Sequence, residues 1–248
     1  MKAFIINLDH AVERWERLSL EVTDAGFEVC RVPAVFGDDL TAPFEGYSES
    51  GYRYRHGKRT NVREIGCYMS HLRAMEQFLA TDDEHAVVLE DDVELGRNTL
   101  SLVEQAVEHA ELWDLLRLSG LHDGTPWAVR DLSDGHQLAV NMSRQTGAGA
   151  YVVSRHGAEV MTKKLLPMAL PYDHAFDREW NFGYKAMSLV PYPVSQNERY
   201  ASSIVHTPKY GPLRYLTVFP YRAANESRRV FHRVCQYARV RGGSKRAA

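Results

Sequence analysis

Ala86-Val87-Val88-Leu89-Glu90-Asp91-Asp92 is the stretch on which the fold turns. Four apolar residues without a polar break read as a short strand buried on both faces, as in a parallel sheet with helices above and below. The three acids follow at once. In an open α/β sheet, ligands bind beyond the carboxyl ends of the strands, so Glu90, Asp91 and Asp92 are expected at the mouth of a cleft. Adjacent carboxylates repel one another unless something positive stands among them. A hard divalent cation such as Mg²⁺ or Mn²⁺, held by one or two carboxylates together with substrate phosphates, suits the triplet. A solvated acidic turn is the alternative.

Outward from this strand the chain alternates. Residues 2–8 read as a buried strand and residues 11–25 as a helix, with Trp15, Leu18 and Val22 on one face and Gly26 as its stop. Residues 27–32 read as a second strand, so the chain opens β-α-β, the unit of a parallel pair. Residues 64–79 carry a helical stripe of Ile65, Tyr68, Met69, Leu72, Met75 and Leu79. Asn98 is placed to cap a helix over 99–110. Strands are expected at 112–118, 137–141 and 148–154, and a helix at 157–166. Pro167 and Pro171 bracket a turn leading to Tyr172, Asp173 and His174. Residues 37–63 are rich in Gly, Tyr and Arg without a clean period. They read either as a loop that contacts sugar or phosphate or as a disordered excursion. The pattern is that of an α/β sandwich, with a domain over 1–221 and an appendage over 222–248.

At 248 residues, 44% hydrophobic and 25% charged, the composition is that of a globular protein and excludes global disorder. No apolar run approaches the roughly 20 residues of a membrane span, and the apolar start is too short for a signal-peptide core, so a cytoplasmic location is expected. Cys30, Cys67 and Cys235 form no CxxC pair, which disfavours a disulfide framework or thiolate metal site. Cys30 and Cys67 read as small buried hydrophobes. The net charge of −2 divides into −9 over residues 1–221 and +7 over residues 222–248. In the basic tail, Asn225 or Ser227 can cap a helix with Val230, Phe231, Val234, Cys235 and Ala238 as its apolar stripe and arginines around it. That is the pattern of an interfacial helix on an anionic membrane. A helix packed on the acidic body is the alternative. With no RNA-binding module, a nucleic-acid partner is not expected.

The triplet has company. Asn7-Leu8-Asp9, Glu13-Arg14, Pro33-Ala34-Val35 with Gly37, Glu64-Ile65-Gly66-Cys67-Tyr68-Met69-Ser70-His71-Leu72, Gly149-Ala150-Tyr151, Pro171-Tyr172-Asp173, Pro193-Val194-Ser195-Gln196 and Ser202-Ser203-Ile204 occur in this order. Over roughly residues 1–205 the set resembles glycosyltransferase family 25, which contains bacterial lipooligosaccharide and animal collagen galactosyltransferases. The resemblance implies a GT-A fold, a nucleotide-sugar-binding sandwich with a central mostly parallel sheet. It also implies inversion at the anomeric carbon, UDP-galactose as the common donor and dependence on a metal, usually Mn²⁺. The acceptor would be a lipopolysaccharide or other surface glycan, carried on a lipid in the case a membrane tail would serve. His10-Ala11 and Arg63 depart from the family pattern.

On this reading Asp92 is the first metal ligand, and Asp91 binds metal or ribose. Glu90 fixes the motif by hydrogen bonds. Asn7 and Leu8 lie where uridine and ribose would meet backbone. Arg14 either reaches a phosphate or is a surface charge. Ser70 and His71 orient the nucleotide or the carboxylates, although a satisfied core histidine would look the same. Gly149 allows close approach, either of the sugar or of a neighbouring strand. Asp173 is the expected general base for single displacement, with helix capping as its alternative, and Asp177 is the fallback. Two rival functions share these residues. A nucleotidyltransferase would use the same acids, though the chain has no GxxxxGK[ST] loop. A non-catalytic membrane-associated adaptor would not need them.

Overall fold

Strand and helix alternate from the first residues of the computed structural model, which describes residues 1–197, 199–200 and 207–244. The Ser202-Ser203-Ile204 motif lies outside the described residues. The elements in order are β1 (Lys2–Asn7), α1 (Val12–Asp24), β2 (Glu28–Pro33), α2 (Glu49–His56), α3 (Val62–Leu79), β3 (His85–Glu90), β4 (Val93–Leu95), α4 (Thr99–Val107) and β5 (Leu115–Arg117). They continue as β6 (Pro126–Asp131), β7 (Gln137–Asn141), β8 (Ala150–Ser154), α5 (Arg155–Lys164), α6 (Tyr172–Phe176), α7 (Glu179–Phe182), β9 (Ala186–Val190), β10 (Val194–Gln196) and α8 (Tyr215–Ser244).

Eight strands form one sheet in the order β2-β1-β3-β8-β5-β9-β7-β6. Traced through the pairings, β2, β1, β3, β5, β9 and β6 run one way and β8 and β7 the other, so the sheet is mostly parallel in direction. The two-residue period of a strand sends alternate side chains to opposite faces. Phe4, Ile6, Ala86 and Val88 enter one core with Tyr68, Leu72, Met75 and Phe78 of α3 and Met161 of α5. Ala3, Ile5, Val87 and Leu89 enter the other with Leu18 and Val22 of α1, Leu102 and Val103 of α4, and Trp113. Burial on both faces is why β1 and β3 are apolar without a break.

Three segments differ from the sequence expectation. The stretch 37–63 is not loop throughout. Ser48 Oγ accepts a hydrogen bond from Gly51 N (3.2 Å) at the start of α2, and Gly57 ends that helix at φ 72°, a left-handed conformation suited to glycine. Only Tyr52 and His56, one turn apart, are buried on it, too few positions to show a period. The expected strand at 112–118 contracts to β5 because residues 110–112 turn first and Trp113 Nε1 bonds back to Ala106 O (3.1 Å). The chain also shows no break between 221 and 222, where an appendage was expected to begin. A single helix, α8, spans that point and packs on α2 and along β6 and β7.

Candidate active site

The carboxyl ends of β1 and β3 lie side by side, with Ile6 in register with Glu90. Beyond them opens a cleft of about 280 Å³, lined by Leu8, Arg14, Phe36, Cys67, His71 and the three acids, among others. β4 pairs with β10, and Asn197 N donates to Asp92 O (2.8 Å), which fixes the chain just after the triplet.

The three acids have different surroundings. Asp91 is buried and partnered: Asn7 Nδ2 donates to its Oδ2 (2.7 Å) and Arg14 Nη1 to its Oδ1 (3.3 Å). Burial nonetheless raises its pKa above the ordinary value against the pull of both partners. Glu90 Oε1 meets His71 Nε2 at 3.1 Å. Asp92 has a buried Oδ1 with no hydrogen-bond partner among the described residues. Desolvation, followed by repulsion from Glu90 and Asp91, pushes its carboxyl up to about 7. A buried carboxylate oxygen with no donor, facing two more acids, is what a hard cation would relieve, so the residues fit a divalent metal.

The side chain of Asn7 has a task of its own beside the backbone role expected there. Its Nδ2 serves Asp91 and Ala11 O (3.0 Å), and its Oδ1 accepts from Arg31 Nη2 (2.8 Å), so its side chain braces Asp91 from below. Arg14 stands in the cleft wall, its guanidinium 4.8 Å from the centre of the Tyr200 ring. Leu8 also lines the cleft.

α3 supplies the opposite wall. Cys67 and His71, four residues apart, share one face, and their ligand atoms lie with Glu90 within 4.8 Å of one another. His71 is fully buried and stacked on Tyr172 at 4.0 Å. A carboxylate can only accept, so in the neutral ring Nε2–H donates to Glu90 and Nδ1 accepts from Tyr151 Oη (3.0 Å). Tyr151 Oη is in turn 3.1 Å from Tyr172 Oη. The chain Tyr172–Tyr151–His71–Glu90 fixes the first acid of the triplet from within the core. Ser70 Oγ donates to Gly66 O (2.7 Å) and accepts from Val35 N (2.8 Å), so it pins residues 34–37 as the third wall. A side chain on Gly66 would lie 2.5 Å from Val35 O, which explains the glycine. Cys67 is half-buried on the cleft, not sealed in the core. Burial, with Glu90, Asp173 and Glu64 nearby, raises its thiol well above the ordinary range and keeps it protonated.

The remaining predicted residues separate. Gly149 makes room for Val93, 3.0 Å from where its side chain would start, and its carbonyl accepts from Glu90 N (2.8 Å). Its close approach is therefore to a neighbouring strand. Two residues back, Gly147 N donates to Asp173 Oδ2 (3.2 Å), which sets Asp173 at the same end of the sheet as Glu90. Asp173 follows Tyr172, the ring stacked on His71, and is half-buried. Asp177 does not suit the fallback role. It is buried among Arg233 (2.8 Å), Arg117 (3.4 Å) and Arg229 (3.4 Å). Burial alone would raise its pKa, but the three guanidinium groups outweigh it and hold the carboxyl below the ordinary range. Such an acid is locked in its ionised form behind the cleft and is a poor proton acceptor.

The family model for glycosyltransferase family 25 (LPS biosynthesis protein) matches residues 1–176. The chain belongs to glycosyltransferase family 25. A glycosyltransferase 25 family member of Drosophila pseudoobscura pseudoobscura is 27% identical over 210 residues, covering 75% of this chain and 32% of that protein. Procollagen galactosyltransferase 2 of Mus musculus is 31% identical over 123 residues, covering 46% of this chain and 20% of that protein. The chain thus spans about a third of the length of the first of these relatives, and the second aligns over a fifth of its own length. Among solved structures, a galactosyltransferase LgtC in complex with donor and acceptor sugar analogs is similar at a TM-score of 0.42 and 12% identity, covering 92% of this chain and 96% of that one. The chain is an α/β sandwich, with the family blocks at 7–14, 33–37, 64–72 and 89–92 gathered around one cleft. The two departures from the family pattern also line it. His10 packs its ring edge-on against Phe36 (5.1 Å), and Arg63 pairs with Asp38 (2.7 Å) at the rim. The sequence reading missed Phe36, Arg31 and Tyr200, none of which carries a pattern that marks it in isolation.

Proposed function

We propose that this chain transfers a hexose, galactose first among candidates, from a UDP-sugar to a hydroxyl of a surface-glycan acceptor with inversion. The observation that carries this reading is Asp92, whose buried Oδ1 lacks a partner among the described residues in a cleft walled by the family motifs. Asp92, with Asp91 beside it, would hold Mn²⁺ or Mg²⁺, which when bound neutralises the diphosphate and stabilises it as a leaving group. Arg14 adds a second positive charge on the same side. Leu8 and Phe36 supply apolar surface for the base and ribose, and Glu90, held by His71, keeps the triplet's backbone in place. Asp173 takes the proton from the acceptor hydroxyl as its oxygen bonds to the anomeric carbon and the bond from that carbon to the diphosphate oxygen breaks. UDP and the glycoside are the products.

A panel of nucleotide sugars titrated by calorimetry, with and without Mn²⁺, tests the donor. Metal-dependent binding of a UDP-sugar that Asp92→Ala abolishes is the expected result, and the absence of binding by any UDP-sugar overturns the proposal. Asp173→Asn should leave donor affinity within about twofold and lower turnover by about 10²–10⁴. Unchanged turnover removes Asp173 from the role.

A further inference from the structure

α8 is inside out. Its inward face carries Asn225, Arg229, Arg233 and Gln236, all buried, with Arg229 only 1% exposed. Arg233 bonds Glu179 through Nε (2.7 Å) and Asp177 through Nη2 (2.8 Å), and donates to the carbonyls of Asn141 and Ser143 (both 2.8 Å). The outward face is apolar. Leu216, Phe219, Ala223, Val230 and Val234 fall at three- and four-residue spacing with Ser227 among them, and Phe231 stands beside this stripe. Leu216, Phe219 and Phe231 are 73%, 56% and 75% exposed. From Leu216 to Val234 the stripe runs about 27 Å. The sequence sets arginines around the apolar stripe and leaves open whether the helix meets a membrane or the acidic body; Arg229 and Arg233 meet the body. The apolar residues are left outside.

The charges around this face select its occupant. Residues 49–59 and 207–244, which pack together as α2 and α8 with the chain leading into α8, hold twelve Lys and Arg against two acids, Glu49 and Glu226. Glu226 is already paired with Arg229. Arg53, Arg55, Arg59, Lys209, Arg222, Arg228, Arg239 and Arg241 remain exposed. A second copy laid on this stripe would set arginine against arginine with no facing acids to pair them. An anionic lipid surface supplies the missing negative charge and an apolar layer for Phe219 and Phe231 together. No helix among the described residues is long and apolar enough to cross a membrane, so contact lies in the plane of the interface.

We infer that the outward face of α8 is a docking surface for an anionic lipid bilayer, with Leu216, Phe219 and Phe231 entering the headgroup boundary and the exposed arginines of α2 and α8 resting on lipid phosphates. The inference does not depend on the transfer reaction. Flotation tests it, with vesicles of phosphatidylcholine alone and of equal parts phosphatidylcholine and phosphatidylglycerol. The intact protein should float with the anionic vesicles and not the neutral ones, and less in high salt. Leu216→Ser/Phe219→Ser/Phe231→Ser should lower partitioning at least about tenfold with an unchanged melting temperature. Should the triple variant unfold, Phe231→Ser alone carries the same comparison. Failure of the intact protein to float, equal flotation of the variants, or a dimer in sedimentation velocity that the substitutions dissociate without changing flotation overturns the inference.

Discussion

Asp92 and Asp177 show how one side chain takes opposite characters in one fold. Asp177 has three arginines within 3.4 Å, and Asp92 has two acids beside it and an oxygen without a partner among the described residues. Raised to about 7 in the fold, Asp92 contributes stability that is present below pH 4 and is lost as pH rises through about 7. Above that the metal-free protein carries a charge beside two other acids that Arg14 only partly offsets. Asp92→Asn should therefore raise the melting temperature in chelator at pH 8 by about 2–4 °C, corresponding to ~1 kcal/mol, while removing metal-dependent nucleotide binding. A lower melting temperature would show that Asp92 is compensated by a contact other than a metal. Asp177→Asn should do the reverse, costing ~3–5 kcal/mol because Arg117 loses its carboxylate partner and Arg229 and Arg233 lose one of their two. A denaturant titration checks it.

At the level of elements, the cleft depends on how closely α3 approaches the segment 34–37. Gly66 and Gly37 permit it: a side chain at Gly37 would lie 2.3 Å from Val62 O, closer than any real contact. Gly66→Ala should cost ~2–3 kcal/mol and weaken donor binding, since residues 34–37 must move away from Ser70. Chemical denaturation and donor titration of the same variant check both effects. Elements with a clear apolar period were legible in the sequence. β1, α1, β2, α3, β3, β7, β8 and α5 lie within a few residues of their expected places. β6 was not, because it is the sheet edge, begins at Pro126 and leaves Trp127 at 41% exposure, so no alternation marks it. β4 and β10 have three residues each, too short for a period, and exist because each pairs with the other. The place of Glu90, Asp91 and Asp92 at the cleft was legible, because an apolar strand that ends in acids sets them at the sheet's carboxyl edge. The bracing roles of Asn7 and Ser70 were not, since an amide and a hydroxyl show their partners only once distant segments meet.

The whole molecule is tied together through α8. Arg229 and Arg233 reach back to Asp177 and Glu179, acids that are at most 2% exposed. A chain ending at residue 221 should therefore not fold as a shorter domain. It would take Arg229 and Arg233 away from the two carboxylates and leave Arg117 as the one ion-pair partner of Asp177 among the described residues, a loss of several kcal/mol in a protein whose total stability is about 5–15 kcal/mol. Circular dichroism of the truncated chain should show no cooperative melt at 37 °C, and a native-like transition would separate α8 from the fold.

The same clamp sets an order on synthesis. Arg233 lies 56 residues after Asp177, so the acid pocket stays open while the intervening chain is made. At about 5–20 residues per second that interval is roughly 3–11 s. During it Asp177 and Glu179 lack the arginines of α8, and a chaperone has that long to act on the nascent chain before α8 closes the pocket.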